Sequence, residues 1–249
     1  MKFVFSILCS IIYISILQSE IPIGIISKTI GSVKYSSLGT NTYKTVSAKN
    51  IPIYLNSKIL TKKNSFAKII YFDDRSTISI YPNSEILFKG SIENKLIIKE
   101  IEIFSGIILV SLDEKIGTNI QSITQYSEVK CVQCSYWVIS KESMFDKFIL
   151  DRGSGSIYNP SMNNTINLHS DSTIVSRDSQ AFEVLETPIT EIKYLESLVL
   201  NADEKLIEYD QNTETNLTSN ILIIKLRNAA NIEKEVVISY KEKDKTKIE

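Results

Sequence analysis

Histidine occurs once in the 249 residues, at His169, and tryptophan once, at Trp137; cysteine occurs three times. A single imidazole argues against multi-histidine metal centres and against the common histidine-dependent catalytic dyads, so no metal and no cofactor is expected. Neither sign of charge dominates. Lys plus Arg number 28 and Asp plus Glu 29, for a formal net charge of −1, so there is no global basic surface for gripping phosphates and nucleic acid is not an expected partner. Long low-complexity tracts and a repeat of 20 to 50 residues are both missing, which removes the common repeat architectures. Beyond the first twenty residues there is no long apolar run, so a polytopic membrane protein does not fit.

What the chain does have is globular: 43 % apolar and 23 % charged residues, in a length sufficient for one or two domains with a sizeable core. Isoleucine alone makes up about a sixth of the residues, and with Val, Thr, Tyr and Phe it favours pleated, half-buried surfaces. An all-β fold is the expectation. Met1-Lys2 followed by the apolar stretch Phe3 to Leu17 and then Gln18-Ser19-Glu20 has the outline of a secretory signal over residues 1–19, with the mature start near Glu20. The alternative is an uncleaved anchor, the only membrane contact expected. Both readings export the remainder, to the periplasm or to the extracellular or cell surface. A lipoprotein would need a cysteine after the apolar run, whereas Cys9 lies inside it.

From Ile30 to about Val184 short extended segments alternate with turn residues at intervals of roughly ten, the pattern of a solenoid, sandwich or barrel. The clearest is Ala67 to Phe72, the turn Asp73-Asp74-Arg75-Ser76, and Thr77 to Tyr81, which reads as a hairpin. Ser105-Gly106 and Arg152-Gly153-Ser154-Gly155 read as tight turns between separate strands. Past Pro188 the period lengthens. Ile189, Ile192, Leu195, Leu198, Val199, Ala202 and Leu206 share one face of a helix reaching about Tyr209, with Thr187 or Thr190 as its N-cap. Ile221 to Leu226 and Val236 to Tyr240 then read as two strands, followed by a charged tail. The expected organisation is a leader over 1–19, a β domain over 20–185, and a helix, strand pair and tail over 186–249.

The ordered landmarks of residues 28 to 176 resemble the FecR domain family. Gly31-Ser32-Val33 matches its opening strand, and Ile53 to Thr61, Ser65-Phe66-Ala67 and Phe72 to Ile86 match its most specific block. Gly106 to Val110 and Phe148 to Ile157 match later strands. The family's usual glycine in the first hairpin turn is Arg75 here, and its Val-Arg-Gly-Thr-x-Phe stretch falls on Val132-Gln133-Cys134-Ser135-Tyr136-Trp137, without the arginine and the glycine. The best-known members are membrane regulators that hold a sigma factor. Only Met1-Lys2 precedes the apolar run here, so the resemblance implies an exported, stand-alone FecR-like β-solenoid or sandwich rather than an anti-sigma protein.

Cys131-Val132-Gln133-Cys134 is the one constellation suited to chemistry. On a regular strand residues three apart face opposite sides, so a bridge between them requires a bulge or turn. Three readings stand: two packed thiols, a structural disulfide, or redox or metal work, although the β-favouring Tyr136 to Ile139 is not the helix start that a thioredoxin-type thiolate uses. Tyr136 and Trp137 are candidates for a binding surface, against the commoner reading of a core tryptophan. Asp73, Asp74 and Asp151 read as turn residues whose side chains bond nearby amides. His169 reads as a surface residue at a strand end. The expectation is therefore a non-catalytic binding or scaffold protein of the bacterial cell envelope that contacts a protein, glycan or wall polymer. An envelope sensor relaying to a membrane partner is the alternative, and a CxxC thiol oxidoreductase built on Cys131 and Cys134 is a third.

Overall fold

A computed structural model describes residues 21–37, 42–46, 50–93, 96–112, 119–170, 172–213, 219–227 and 233–241, with side chains as far as Ala202. The expected leader, 1–19, and the charged tail, 242–249, lie outside the described residues. The first eight strands are β1 (Gly24–Ile30), β2 (Val33–Ser36), β3 (Lys44–Thr45), β4 (Ile51–Ile53), β5 (Lys58–Thr61), β6 (Phe66–Tyr71), β7 (Thr77–Ile80) and β8 (Glu85–Glu93). Next come β9 (Leu96–Ser111), β10 (Asn119–Ile123), β11 (Glu128–Lys141), β12 (Phe145–Asn159), β13 (Asn164–Leu168), β14 (Ser172–Ser176) and β15 (Glu183–Glu186). Helix α1 (Ile189–Thr213) and the strands β16 (Ser219–Arg227) and β17 (Glu233–Lys241) close the described chain. The described residues form an all-β fold with one helix. Contacts divide it into two compact units, Met1–Glu196 and Ser197–Glu249.

In the first unit all fifteen strands join one hydrogen-bonded network, antiparallel except for the parallel pair β9–β10. Three long strands fold that network into two layers. The first half of β9 pairs with β8 and β10, whereas its end pairs with β7 and β11. Likewise the start of β11 pairs with β10 and its end with β9, and β12 turns from partner β14 to partner β13. One layer thus runs β3-β2-β5-β8-β9-β10-β11-β12-β13, and the other β4-β1-β6-β7-β9-β11-β12-β14-β15. This is the sandwich among the architectures that the sequence leaves open.

The inward face of each long strand changes parity where it passes from one layer to the other. In β9 the core takes Ile101 and Ile103, then Ile108 and Val110; in β11 it takes Val129 and Cys131, then Cys134, Tyr136 and Val138. In β12 it takes Phe148 and Leu150, then Ile157. A one-residue slip transfers a side chain to the other face of a sheet, so each crossing needs an extra residue in a bulge. A positive-φ residue stands at each crossing: Gly106 (111°), Gln133 (49°) and Gly153 (89°). The expectation of separate strands on either side of Ser105-Gly106 and Arg152 to Gly155 is therefore corrected. The glycines bend strands that continue through them.

The two inner faces meet in a single core of isoleucine, valine and aromatic side chains. Tyr71, beside the β6–β7 turn, meets Phe88 of the other layer edge-on at 6.3 Å between ring centroids, and the Ser122 hydroxyl is hydrogen-bonded to the Tyr136 hydroxyl across the sandwich. Phe66, Tyr81 and Trp137 make a second aromatic chain with centroid separations of 5.4 and 5.3 Å. Strand β15, which the sequence pattern does not suggest, pairs with β14.

The helix begins where expected, at Ile189, but neither threonine caps it. The Pro188 carbonyl accepts the amides of Glu191 and Ile192 at 2.9 and 3.1 Å, and the Thr187 hydroxyl bonds to Thr173 at 3.1 Å. Glu191 in the first turn holds Lys147 of β12 at 2.8 Å. In the second unit β16 and β17 form the expected antiparallel hairpin, from the pair Ser219↔Lys241 to Arg227↔Glu233. No helix of the described residues is long and apolar enough to cross a membrane.

Candidate binding groove

Cross-strand register places a row of polar side chains over the first layer. Glu100 of β9 lies opposite Gln121 of β10, Gln121 opposite Lys130 of β11, Lys130 opposite Ser156 of β12, and Ser156 opposite Asn167 of β13. The adjoining inward row is Lys99, Ile120, Cys131, Gly155 and Leu168, so strict alternation separates a dry face from a wet one. Both rows, together with Asn119, Ser154, His169 and exposed Val132, line an open groove of about 940 Å³. Gln121 is braced by Glu128, its Nε2 donating to Oε2 at 2.9 Å. On the adjoining pair β8–β9, Lys89 meets Glu102 at 2.7 Å, and that hydrogen bond, the largest influence, raises the Lys89 pKa above its ordinary value.

Cys131, on the lining of this groove, forms a disulfide with Cys134, with Cα atoms 6.0 Å apart. The bulge that makes the bridge feasible is the crossing in β11, where the register with β12 shifts between Val132 and Ser135. Both cysteines are fully buried. Glycine makes room for them. A Cβ on Gly155 would stand 3.2 Å from the Cys131 Sγ, and one on Gly153 2.7 Å from the Cys134 Cα.

Tyr136 and Trp137 do not form a binding surface. As neighbours on a strand they face opposite sides: Tyr136 is fully buried in the core, and Trp137 lies on the other face, stacked near Tyr81 and only 7 % exposed. Burial pushes the Tyr136 hydroxyl pKa up, against a smaller lowering by the Ser122 hydrogen bond. His169 is exposed at the end of β13 and on the groove lining, and Asp151 is exposed on β12. Asp74 acts as the expected turn residue, its Oδ1 accepting the Ser76 amide at 2.9 Å. It also has a partner that sequence reading missed: the Lys99 ammonium lies 3.0 Å from its Oδ2 and 2.7 Å from Asp73 Oδ2. Nothing in the local sequence signals that contact. Among the described residues no group of three His, Cys, Asp or Glu side chains is placed to hold a metal ion.

No protein-family profile matches the chain, and no curated protein matches it. The chain is similar to two crystal structures of a proposed anti-sigma factor from Parabacteroides distasonis ATCC 8503, at 1.65 and 2.50 Å resolution. Each is 11 % identical, with a TM-score of 0.44 over 75 % of this chain and 99 % of that one.

Proposed function

We propose that this chain is an exported, non-catalytic binding module of the cell envelope, and that its ligand lies along the outer row of Glu100, Gln121, Lys130, Ser156 and Asn167. The observation carrying this reading is the groove itself. It offers amide, hydroxyl, carboxylate and ammonium groups at the regular spacing of a sheet, above a bend braced by a disulfide. Such a surface matches a hydrogen-bonding partner, whether protein, glycan or wall polymer, and a rigid sheet keeps its donors and acceptors preorganised. Burial of both cysteines supports a structural role for the bridge, since redox-active thiols need access to a reactant.

The test is retention of the purified full chain on isolated wall sacculi and, separately, on a membrane-protein fraction from the producing cells. Wild type is expected on one of these, and Ser156→Trp, which fills the groove, is expected to reduce retention at least tenfold. Glu142→Trp, in the turn between β11 and β12, is expected to bind as wild type does. Equal retention of Ser156→Trp and wild type would refute the reading, and so would the absence of wild type from both fractions.

A further inference from the structure

Between the two layers, on the inward side of the strand that carries Glu100, lies a dry cluster of one amine and two carboxylates. The Lys99 side chain is fully buried, that of Asp74 is too, and that of Asp73 is 8 % exposed. Lys99 Nζ stands 2.7 Å from Asp73 Oδ2 and 3.0 Å from Asp74 Oδ2, and the Tyr71 ring centroid is 5.2 Å from the same nitrogen. Asp74 is held in place by Ser76, whose amide and hydroxyl donate to its two oxygens. Asp73 Oδ2 accepts the Ile97 amide at 3.3 Å, whereas its Oδ1 is buried with no hydrogen-bond partner among the described residues. A pair of charges on a permanent ion-pair footing is expected to satisfy its remaining lone pairs. This one leaves a carboxyl oxygen bare.

We propose that Lys99 and Asp73 are the reacting pair of an intramolecular isopeptide bond, and that Asp74 shuttles the protons. Transfer of one proton within the ion pair gives a neutral amine and a neutral carboxylic acid, the forms that react. The amine nitrogen attacks Cγ of Asp73, and the new C–N bond forms as one C–O bond breaks. Asp74 accepts the proton that the nitrogen sheds and returns it to the departing hydroxyl, so one water leaves and Asp74 ends as it began. The Ile97 amide steadies the oxygen that remains as the amide carbonyl. No oxidant, metal or activated acyl group enters the balance. Hydrogen-bond contact already brings the nitrogen within reach of the carbon, and a fixed near-attack geometry of this kind replaces a very high concentration of external amine. The product ties the β6–β7 turn to β9 across 26 residues and exchanges a buried ion pair for a neutral amide.

The experiment is intact mass measurement on the purified, reduced and alkylated full chain, followed by proteolysis and fragmentation. A deficit of one water is expected, with a branched peptide joining the segment containing Asp73 to the segment containing Lys99. Asp73→Asn is expected to lose one ammonia instead of one water, and Asp74→Asn, with its β-sheet spectrum retained, to keep its full mass. Full mass in wild type, with the two segments recovered as separate linear peptides, would overturn the proposal. A water deficit that survives in Lys99→Arg would overturn it too, since that loss would come from cyclisation at Asp73-Asp74. Should Asp74→Asn not fold, the wild-type branched peptide and the ammonia loss of Asp73→Asn decide the matter.

Discussion

Arg75 occupies the third position of the turn Asp73 to Ser76 with φ of 61°, a conformation that disfavours side chains with a Cβ. The glycine of the resembling family would sit there without that cost. Arg75→Gly is expected to raise stability by up to about 1 kcal/mol, read as a higher urea midpoint at unchanged slope. Gly153 presents the opposite case. At φ of 89° an added Cβ would lie 2.4 Å from the Gln133 carbonyl oxygen and 2.7 Å from the Cys134 Cα, both backbone atoms. Gly153→Ala is expected to cost about 2 kcal/mol or more in the same measurement. The turn chemistry at Asp74 was legible in the sequence because an Asx contact is local, whereas Asp73 bonds the distant Ile97 amide instead of a nearby one. Their partner Lys99 was not, because the ion pair links residues 26 positions apart and no short-range pattern encodes it.

At the scale of elements, the hairpin of β6 and β7 could be read directly from alternation and a polar turn, as could the helix start and the hairpin of β16 and β17. Strands β9, β11 and β12 could be read only in pieces. Each changes inward parity at its crossing, and a break in alternation next to glycine is indistinguishable in one dimension from a turn between two strands. β15 was illegible for another reason. All four of its residues are exposed, so no burial period marks it and only pairing with β14 makes it a strand. The disulfide belongs to this scale, because it braces the crossing of β11. Its closed loop is short, with a separation of three residues, so replacing both cysteines by alanine is expected to cost only about 2 kcal/mol by loop entropy. Chemical unfolding of Cys131→Ala/Cys134→Ala measures this, and an unchanged midpoint would contradict the bracing role.

At the scale of the whole molecule, burial of tyrosine hydroxyls couples the sandwich to alkaline pH. Tyr71 is raised in pKa by burial and, secondarily, by Asp73 and Asp74; Tyr136 is raised by burial; Tyr43 is pushed up to about 12 by burial and by its hydrogen bond to Glu85. In each the folded pKa exceeds the unfolded value near 10, so above that pH the unfolded chain releases protons that the folded chain keeps. Stability is therefore insensitive to these groups below about pH 10 and falls as pH rises beyond it. For each of the buried pair Tyr71 and Tyr136 the slope is about 1.4 kcal/mol per pH unit. Thermal melts from pH 8 upward, followed alongside phenolate absorbance, are expected to show tyrosine ionisation arriving with unfolding, and Tyr136→Phe to decline less steeply.

Composition and alternation by themselves determined the all-β character, the first hairpin, the change to a helix after Pro188, and the expectation of binding rather than catalysis. They do so because local propensity and side-chain period act over a few residues. Only tertiary structure decided that three long strands fold one sheet into two layers, that Tyr136 and Trp137 are buried on opposite faces, and that five polar side chains align over a groove. It alone brought Lys99 to the two aspartates. Each of these depends on the register between strands distant in sequence, and register is settled when both layers bury their apolar faces together.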